Sequence, residues 1–356
     1  MTPSKIRSKI CKYWNSSRWH KLLCVVLLVF GLLLSTMYGI SRWYAHSVSN
    51  QPLVYGVSFI PAYAESLGVD PHETMDGLID LGIKHFRLTS YWDRGEPAKG
   101  TYDFTELDWQ FKKAEAAHAK VSLSLGLRQP RWPECHMPDW AKTEPAKQWY
   151  PELNNYIKAV VERYKDSPSL DTYQVENEYF LVGFGVCTDM NRDRLISEFN
   201  LVKSLDNKHL AIIARSNNGI GIPIGQPKPD MYGVSIYKRV WDAQITHRYF
   251  EYPIPAWFYG FLAGAQKIHD GRNMVVHELQ AEAWGPNYRP LKELSLKEQK
   301  KSLDAKRLKD RFGYGKATGM RTIDLWGGEY WYYRKVVLND PTLWNVAKEE
   351  YKNSSH

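Results

Sequence analysis

Acidic residues are missing from the first fifty positions. Residues 1–50 hold seven Lys/Arg (Lys5, Arg7, Lys9, Lys12, Arg18, Lys21, Arg42) and neither Asp nor Glu, so of a formal net charge of +8 only 8 − 7 = +1 is left for the remainder. The basic character is local, which excludes a nucleic-acid footprint, since that would lie on the folded domain. Internal repeats and low-complexity tracts are absent as well, which argues against stacked-repeat architectures. Cysteine is scarce, with four residues in 356. They form no cluster, and neither a metal nor another cofactor is expected.

What the N-terminus does have is an uncharged run, Leu22–Ile40, which as a helix covers about the hydrocarbon thickness of a bilayer at ~1.5 Å per residue. The basic segment before it, 1–21, is expected to stay cytoplasmic, with the rest of the chain translocated. The rival is a cleaved signal peptide. Against it stand the length of the apolar run, the extended basic lead and the lack of a small-x-small cleavage site near Arg42–Ser47. The expected organisation is a transmembrane anchor at 22–40, a linker at 41–52 with Trp43 and Tyr44 at the outer interface, one domain at 53–345 and a C-terminal tail at 346–356. Cys11 and Cys24 then need no partner. Cys135 and Cys187 lie in an oxidising compartment, each in a loop after a predicted strand, and a disulfide between them is expected.

Beyond the anchor, short apolar runs alternate with amphipathic helical stretches, the pattern of an α/β protein with a parallel sheet. Eight strands are predicted: 53–59, 85–89, 121–125, 171–175, 210–214, 232–236, 274–278 and 321–325. Helices are predicted over 71–81, 106–119, 151–164, 193–205 and 296–311 from apolar residues spaced three and four apart. The fold class is therefore a (β/α)8 barrel behind one transmembrane helix. The interval 238–270 exceeds a simple loop, and its aromatic residues suggest an insertion at the barrel mouth. The whole chain has 14 Trp and 23 Tyr. Such rings stack on the C–H faces of sugars or simply fill a core.

Function in such a barrel sits at the C-terminal strand ends. Strand four runs into Tyr173-Gln-Val-Glu-Asn-Glu-Tyr-Phe180, where Glu178 can protonate a leaving oxygen and Asn177 can reach a substrate hydroxyl. Glycosidic cleavage needs a second carboxylate opposite the first. Strand seven supplies it in Val276-His-Glu-Leu-Gln280: Glu278 is the expected nucleophile, with Glu282 as the alternative four residues on. Glu176 is read as turned into the barrel beneath the site, and Glu329 as a structural acid. Arg87 and Tyr237 end strands two and six, where they can hold a carboxylate ionised. Trp132 is a candidate wall of a sugar site, equally readable as packed core, Trp326 a candidate floor beneath a sugar ring, and Trp92 a further candidate substrate contact.

These strand ends resemble clan A glycoside hydrolases. Gln174-Val-Glu-Asn-Glu-Tyr179 is similar to the strand-four signature of β-galactosidase families 35 and 42, and the strand-seven segment is similar to that of family 42. The resemblance covers Tyr55 to Tyr333. It implies Glu178 as acid/base, Glu278 as nucleophile, and Arg87 and Tyr237 in contact with the nucleophile. Trp92 with Glu96-Pro97 and Gly100 resembles the clan's strand-two loop. Departures are the absence of the family 42 cysteine metal site, the insertion after strand six and the lack of room for accessory domains. The expected function is a membrane-anchored, extracytoplasmic retaining β-glycosidase acting on an oligo- or polysaccharide. Alternatives are a transglycosylase with the same residues and an inactive carbohydrate-binding barrel.

Overall fold

A computed structural model describes residue 14 and residues 17–181, 183–187, 189–216 and 225–354. The expected cytoplasmic segment, Cys11 included, lies mostly outside these. Eight parallel strands close a barrel: β1 (Val54–Ser58), β2 (His85–Thr89), β3 (Lys120–Leu125), β4 (Leu170–Val175), β5 (Leu210–Ser216), β6 (Met231–Ile236), β7 (Met274–Gln280) and β8 (Thr322–Trp326). Each pairs with its sequence neighbours, and β1 meets β8 through Val54↔Thr322 to Val57↔Leu325. The strands are buried on both faces, β2 and β7 along their whole length. Helices cover the outside, which is why these strands read as continuous apolar runs rather than alternating ones.

Local chemistry explains most of the boundaries. Helix Pro71–Asp80 begins with Pro71, and the Asp70 side chain accepts from Glu73 N, two devices that suit a helix start. The helix expected over 296–311 is instead two, Leu296–Ser302 and Ala305–Ala317. The Asp304 side chain accepts from Arg307 N and caps the second, so a helix start falls inside the expected span. The insertion after β6 is a two-stranded hairpin, Arg239–Asp242 with Arg248–Glu251, followed by helix Ala256–Asp270. Gln280 fastens its base, accepting from Lys238 N and Arg239 N and donating to Arg239 O.

Both chain ends differ from expectation. The N-terminal helix runs Arg18–Ser47 with a mean hydropathy of 2.4 over its most apolar window, so the first seven residues of the expected linker, 41–47, are helical. Ser41, Tyr44 and Val48 are buried. Tyr44 is thus packed against the barrel rather than placed at a membrane interface, and its hydroxyl donates to Met274 O at 3.3 Å. Glycines make the approach possible: a Cβ on Gly264 would lie 2.7 Å from Ile40 Cγ2, and one on Gly260 2.4 Å from Ser41 Oγ. At the other end, the expected tail from 346 belongs to helix Thr342–Ser354. Tyr351 is buried there and its hydroxyl donates to Gly56 O at 2.8 Å.

Candidate active site

The strand ends converge on one buried constellation. Arg87, in β2 and fully buried, donates from Nη1 to Glu278 Oε1 (2.7 Å), from Nε to Gln174 Oε1 (2.6 Å) and from Nη2 to Asn177 Oδ1 (2.9 Å). The Tyr237 hydroxyl, just past β6, donates to Glu278 Oε2 at 2.8 Å. Both oxygens of Glu278 therefore accept charge-assisted hydrogen bonds, one of them from a permanent cation. The reach of Glu278 depends on an irregularity in β7. Val234↔Val276 is followed by Ser235↔Glu278, and Ile323↔Val276 by Leu325↔Leu279. One extra residue in β7 is the signature of a bulge, which re-aims side chains. His277 and Glu278, adjacent in sequence, are both buried in the barrel.

Glu178 approaches from the end of β4. Its backbone and that of Glu176 take positive φ, 41° and 60°, an uncommon region for non-glycine residues and costly unless the surroundings hold it. Burial first, then the negative charges of Glu278 and Glu134, push its carboxyl up to about 8. Its Oε1 is buried without a hydrogen-bond partner among the described residues. A carboxyl that keeps its proton near neutrality, set beside a glutamate whose two oxygens are bonded by an arginine and a tyrosine, is an acid and nucleophile pair in chemical capability.

A third carboxyl, Glu134, was not foreseen. It follows β3, is buried, and accepts from Asn177 Nδ2 at 3.2 Å, with Arg128 Nη2 at 3.8 Å. Burial raises it to about 7 even though Arg128 opposes the shift. The next residue, Cys135, forms a disulfide with Cys187, as expected, tying the β3 loop to the β4 loop. Only the neighbouring cysteine marked Glu134 in the sequence. Gln174, also missed, sits three residues before Asn177 and donates to its Oδ1 at 3.0 Å.

Other predicted residues fall elsewhere. Glu282 is held by Arg131 Nη2 (3.1 Å) and by the Trp326 indole N–H (2.8 Å). The Arg131 guanidinium lies 3.2 Å from the Tyr63 ring centroid and 4.5 Å from that of Trp326. Trp326 thus stands at the mouth, its ring in a small cluster with Ile60 and Tyr91 that Tyr237 packs against. Trp132 is on the rim and 64% exposed. Trp92 is not brought to the site: it is fully buried, donates to Glu96 Oε2 at 2.6 Å and packs beside Trp140 and Trp149. An indole at a strand end satisfies the same pattern whether it faces the mouth or the helix layer. Glu176 is not beneath the site either. It accepts from Leu127 N, Arg128 N and Arg194 Nη1, clamping the β3 turn from outside the barrel. Glu329 accepts from Ile60 N at 2.5 Å, the structural role expected of it. Among the described residues no group of three or more His, Cys, Asp or Glu is placed to hold a metal ion.

Fold and strand-end motifs together define a class, the clan A (β/α)8 glycoside hydrolases. Within it, two families come closer. The family 42 β-galactosidase model matches residues 71–197, and a probable mannan endo-1,4-β-mannosidase A-1 of Aspergillus terreus is 38% identical over 80 residues, 22% of this chain and 20% of that protein. The match thus spans about a fifth of the curated relative's length. Solved structures share the fold. A GH5_18 protein of Bifidobacterium longum subsp. longum in complex with Manb1-4GlcNAc has a TM-score of 0.58 at 13% identity, covering 85% of this chain and 78% of that one. The β-galactosidase of Halorubrum lacusprofundi has a TM-score of 0.55 at 13% identity, covering 85% and 58%.

Proposed function

We propose that the protein is a retaining β-glycosidase in which Glu278 is the nucleophile and Glu178 the acid/base. The observation that carries this is the unequal treatment of two neighbouring glutamates: Arg87 and Tyr237 donate to both oxygens of Glu278, whereas Glu178 is raised to about 8. Glu278 attacks the anomeric carbon and displaces the aglycone as Glu178 transfers its proton to the leaving oxygen. With the charge of Glu278 consumed in the glycosyl ester, Glu178 becomes more acidic. It then takes a proton from the incoming water, whose oxygen replaces Glu278 at the anomeric carbon. Such pairs stand about 5–5.5 Å apart in retaining enzymes. Glu282, occupied by Arg131 and Trp326, borders the sugar site, with Trp326 and Trp132 as ring platforms and Asn177 as a hydroxyl contact. The substrate is a β-linked galactoside or mannoside, in keeping with the proteins it resembles. An inactive binding barrel has no need of two neighbouring glutamates held in such different surroundings.

The domain 53–345 acts outside the cytoplasm, anchored by the N-terminal helix. The basic flank before the apolar run and the Cys135–Cys187 disulfide support this side of the membrane. The test is a panel of aryl β-glycosides assayed on the full chain beside Glu178→Gln. Turnover of a galactoside or mannoside with an anomer-retained first product is the expected result. An inverted product, or equal turnover by the variant, overturns the assignment. Added sugar acceptors in the same assay separate hydrolysis from transfer.

A further inference from the structure

The N-terminal helix has a direction relative to the barrel. Tyr38 meets Trp257 edge-on at 5.9 Å, Ser41 faces Gly260, and Tyr44 faces Gly264, with Lys267 Nζ over its ring. Steps of three along one helix match steps of three or four along the other, so the two helices run parallel. Helix Ala256–Asp270 connects β6 to β7, two parallel strands, and must therefore run from the mouth end of the barrel to its floor. The N-terminal helix does the same, arriving beside Met274 at the start of β7, where Tyr44 donates to the backbone. Its earlier part, with Leu22 to Leu34 exposed, accordingly projects past the mouth side. Ser41, Tyr44 and Val48 are core residues, so this is a docked strut and not a free tether.

A second observation points the same way. Beyond that helix, most of the exposed large apolar side chains lie on connections at the mouth, Tyr102 after β2, Trp132 after β3, Phe180 and Val186 after β4, Ile245 and Phe250 in the hairpin after β6, and Tyr288 after β7, whereas Leu210, Ile268, Val336 and Val337 lie elsewhere. Ile245 at the hairpin turn is 84% exposed. Apolar tips on otherwise polar loops are what a surface resting on a bilayer presents.

We propose that the mouth of the barrel faces the bilayer that holds the N-terminal helix, and that the substrate is a β-linked glycan carried on a lipid of that membrane. The substrate half rests on the glycosidase reading above; the orientation does not. The hydrocarbon-length run ends where the helix docks, leaving no spacer that would let the mouth turn toward bulk solvent. A sugar held by its lipid at the interface approaches the mouth directly, and its encounter is confined to the membrane surface.

The experiment uses the full chain, with Cys11 and Cys24 replaced by Ser, in phosphatidylcholine/phosphatidylglycerol vesicles. A fluorophore is placed at Ile245→Cys on the mouth side or Lys120→Cys at the start of β3 on the floor, with bromolipid quenching as the readout. Quenching several-fold stronger at position 245 is expected; equal quenching, or stronger at 120, overturns the orientation. In the same vesicles, octadecyl β-galactoside and β-mannoside are compared with their soluble methyl glycosides. We expect kcat/KM higher by at least about tenfold for the membrane-held sugar, and Gly264→Ala, which forces the docked helices apart, to reduce that ratio while soluble turnover persists. Soluble turnover without a membrane preference overturns the substrate proposal alone. No turnover of any glycoside defeats the glycosidase reading and, with it, the substrate proposal, and the quenching still decides the orientation.

Discussion

Two polar layers are stacked inside the barrel, about 7 Å or two strand residues apart, and they treat buried charge in opposite ways. In the floor, His85 Nδ1 lies 2.7 Å from Asp324 Oδ1 and His277 Nδ1 3.5 Å from Asp324 Oδ2. Burial alone would raise Asp324, but the two histidines outweigh it and hold the carboxyl well below the usual range. Gly56 and Gly233 close the layer, since a Cβ on Gly56 would sit 2.0 Å from Asp324 Oδ1 and one on Gly233 2.2 Å from His277 Cδ2. In the mouth layer, Arg87 bonds Glu278, while Glu134 and Glu178 are raised to about 7 and about 8. In the floor the carboxylate has a close cationic partner in His85, whose pKa is raised; in the mouth an excess of carboxyls keeps a proton available.

The comparison breaks most readily at its two anchors. Glu278→Gln should lower kcat on an aryl β-glycoside on the order of 10⁵-fold with the fold retained by circular dichroism, and Glu282→Gln should retain turnover. Asp324→Asn should instead cost about 3–5 kcal/mol of stability by leaving the buried His85 without its carboxylate, read by urea denaturation. Full turnover in the first variant, or unchanged stability in the second, would reverse the roles given to the layers.

Glu178→Gln should reduce kcat about 10²–10⁴-fold and change the pH dependence of stability. A raised carboxyl contributes fully below its unfolded value near ~4.3 and loses that contribution as pH rises through its folded value. Between pH 5 and about 9 the native chain should lose on the order of 2–4 kcal/mol that the variant keeps. Parallel stability curves for the two would show that Glu178 is not held protonated.

Tyr237→Phe removes one donor to the proposed nucleophile and should lower kcat/KM by about 10- to 100-fold, with the fold unchanged by circular dichroism. Glu134→Gln is the finest probe. Removing a negative neighbour lowers the Glu178 pKa, so the alkaline limb of kcat/KM should move to lower pH by up to about one unit. A limb that stays fixed would detach Glu134 from the proton donor and leave it a support for Asn177.

The two layers were unequally legible in the sequence. All eight strands could be placed, because strands buried on both faces read as apolar runs between amphipathic helices. Arg87, Asn177, Glu178, Tyr237 and Glu278 could be named from strand ends, and the fold gathers them. Trp92 could not be told from Trp326, since both are indoles at the mouth end of a strand and only packing separates helix-layer burial from the barrel mouth. Glu176 was misplaced because the strand ends at Val175 and the chain turns there with positive φ, which the sequence does not announce. Glu134 was invisible because its importance comes from Asn177 and Glu178, which reach it from another loop.

By itself the sequence determined the barrel, the apolar N-terminal run and the identity of the two central glutamates, all consequences of periodicity and of chemistry carried by single residues. Only the tertiary structure decided how those glutamates differ, because a pKa depends on neighbours that arrive from other strands. It alone decided that a bulge in β7 re-aims Glu278. It also decided that the apolar helix ends as a strut against helix Ala256–Asp270, since a run of apolar residues gives the length of a helix but not the surface it will pack against.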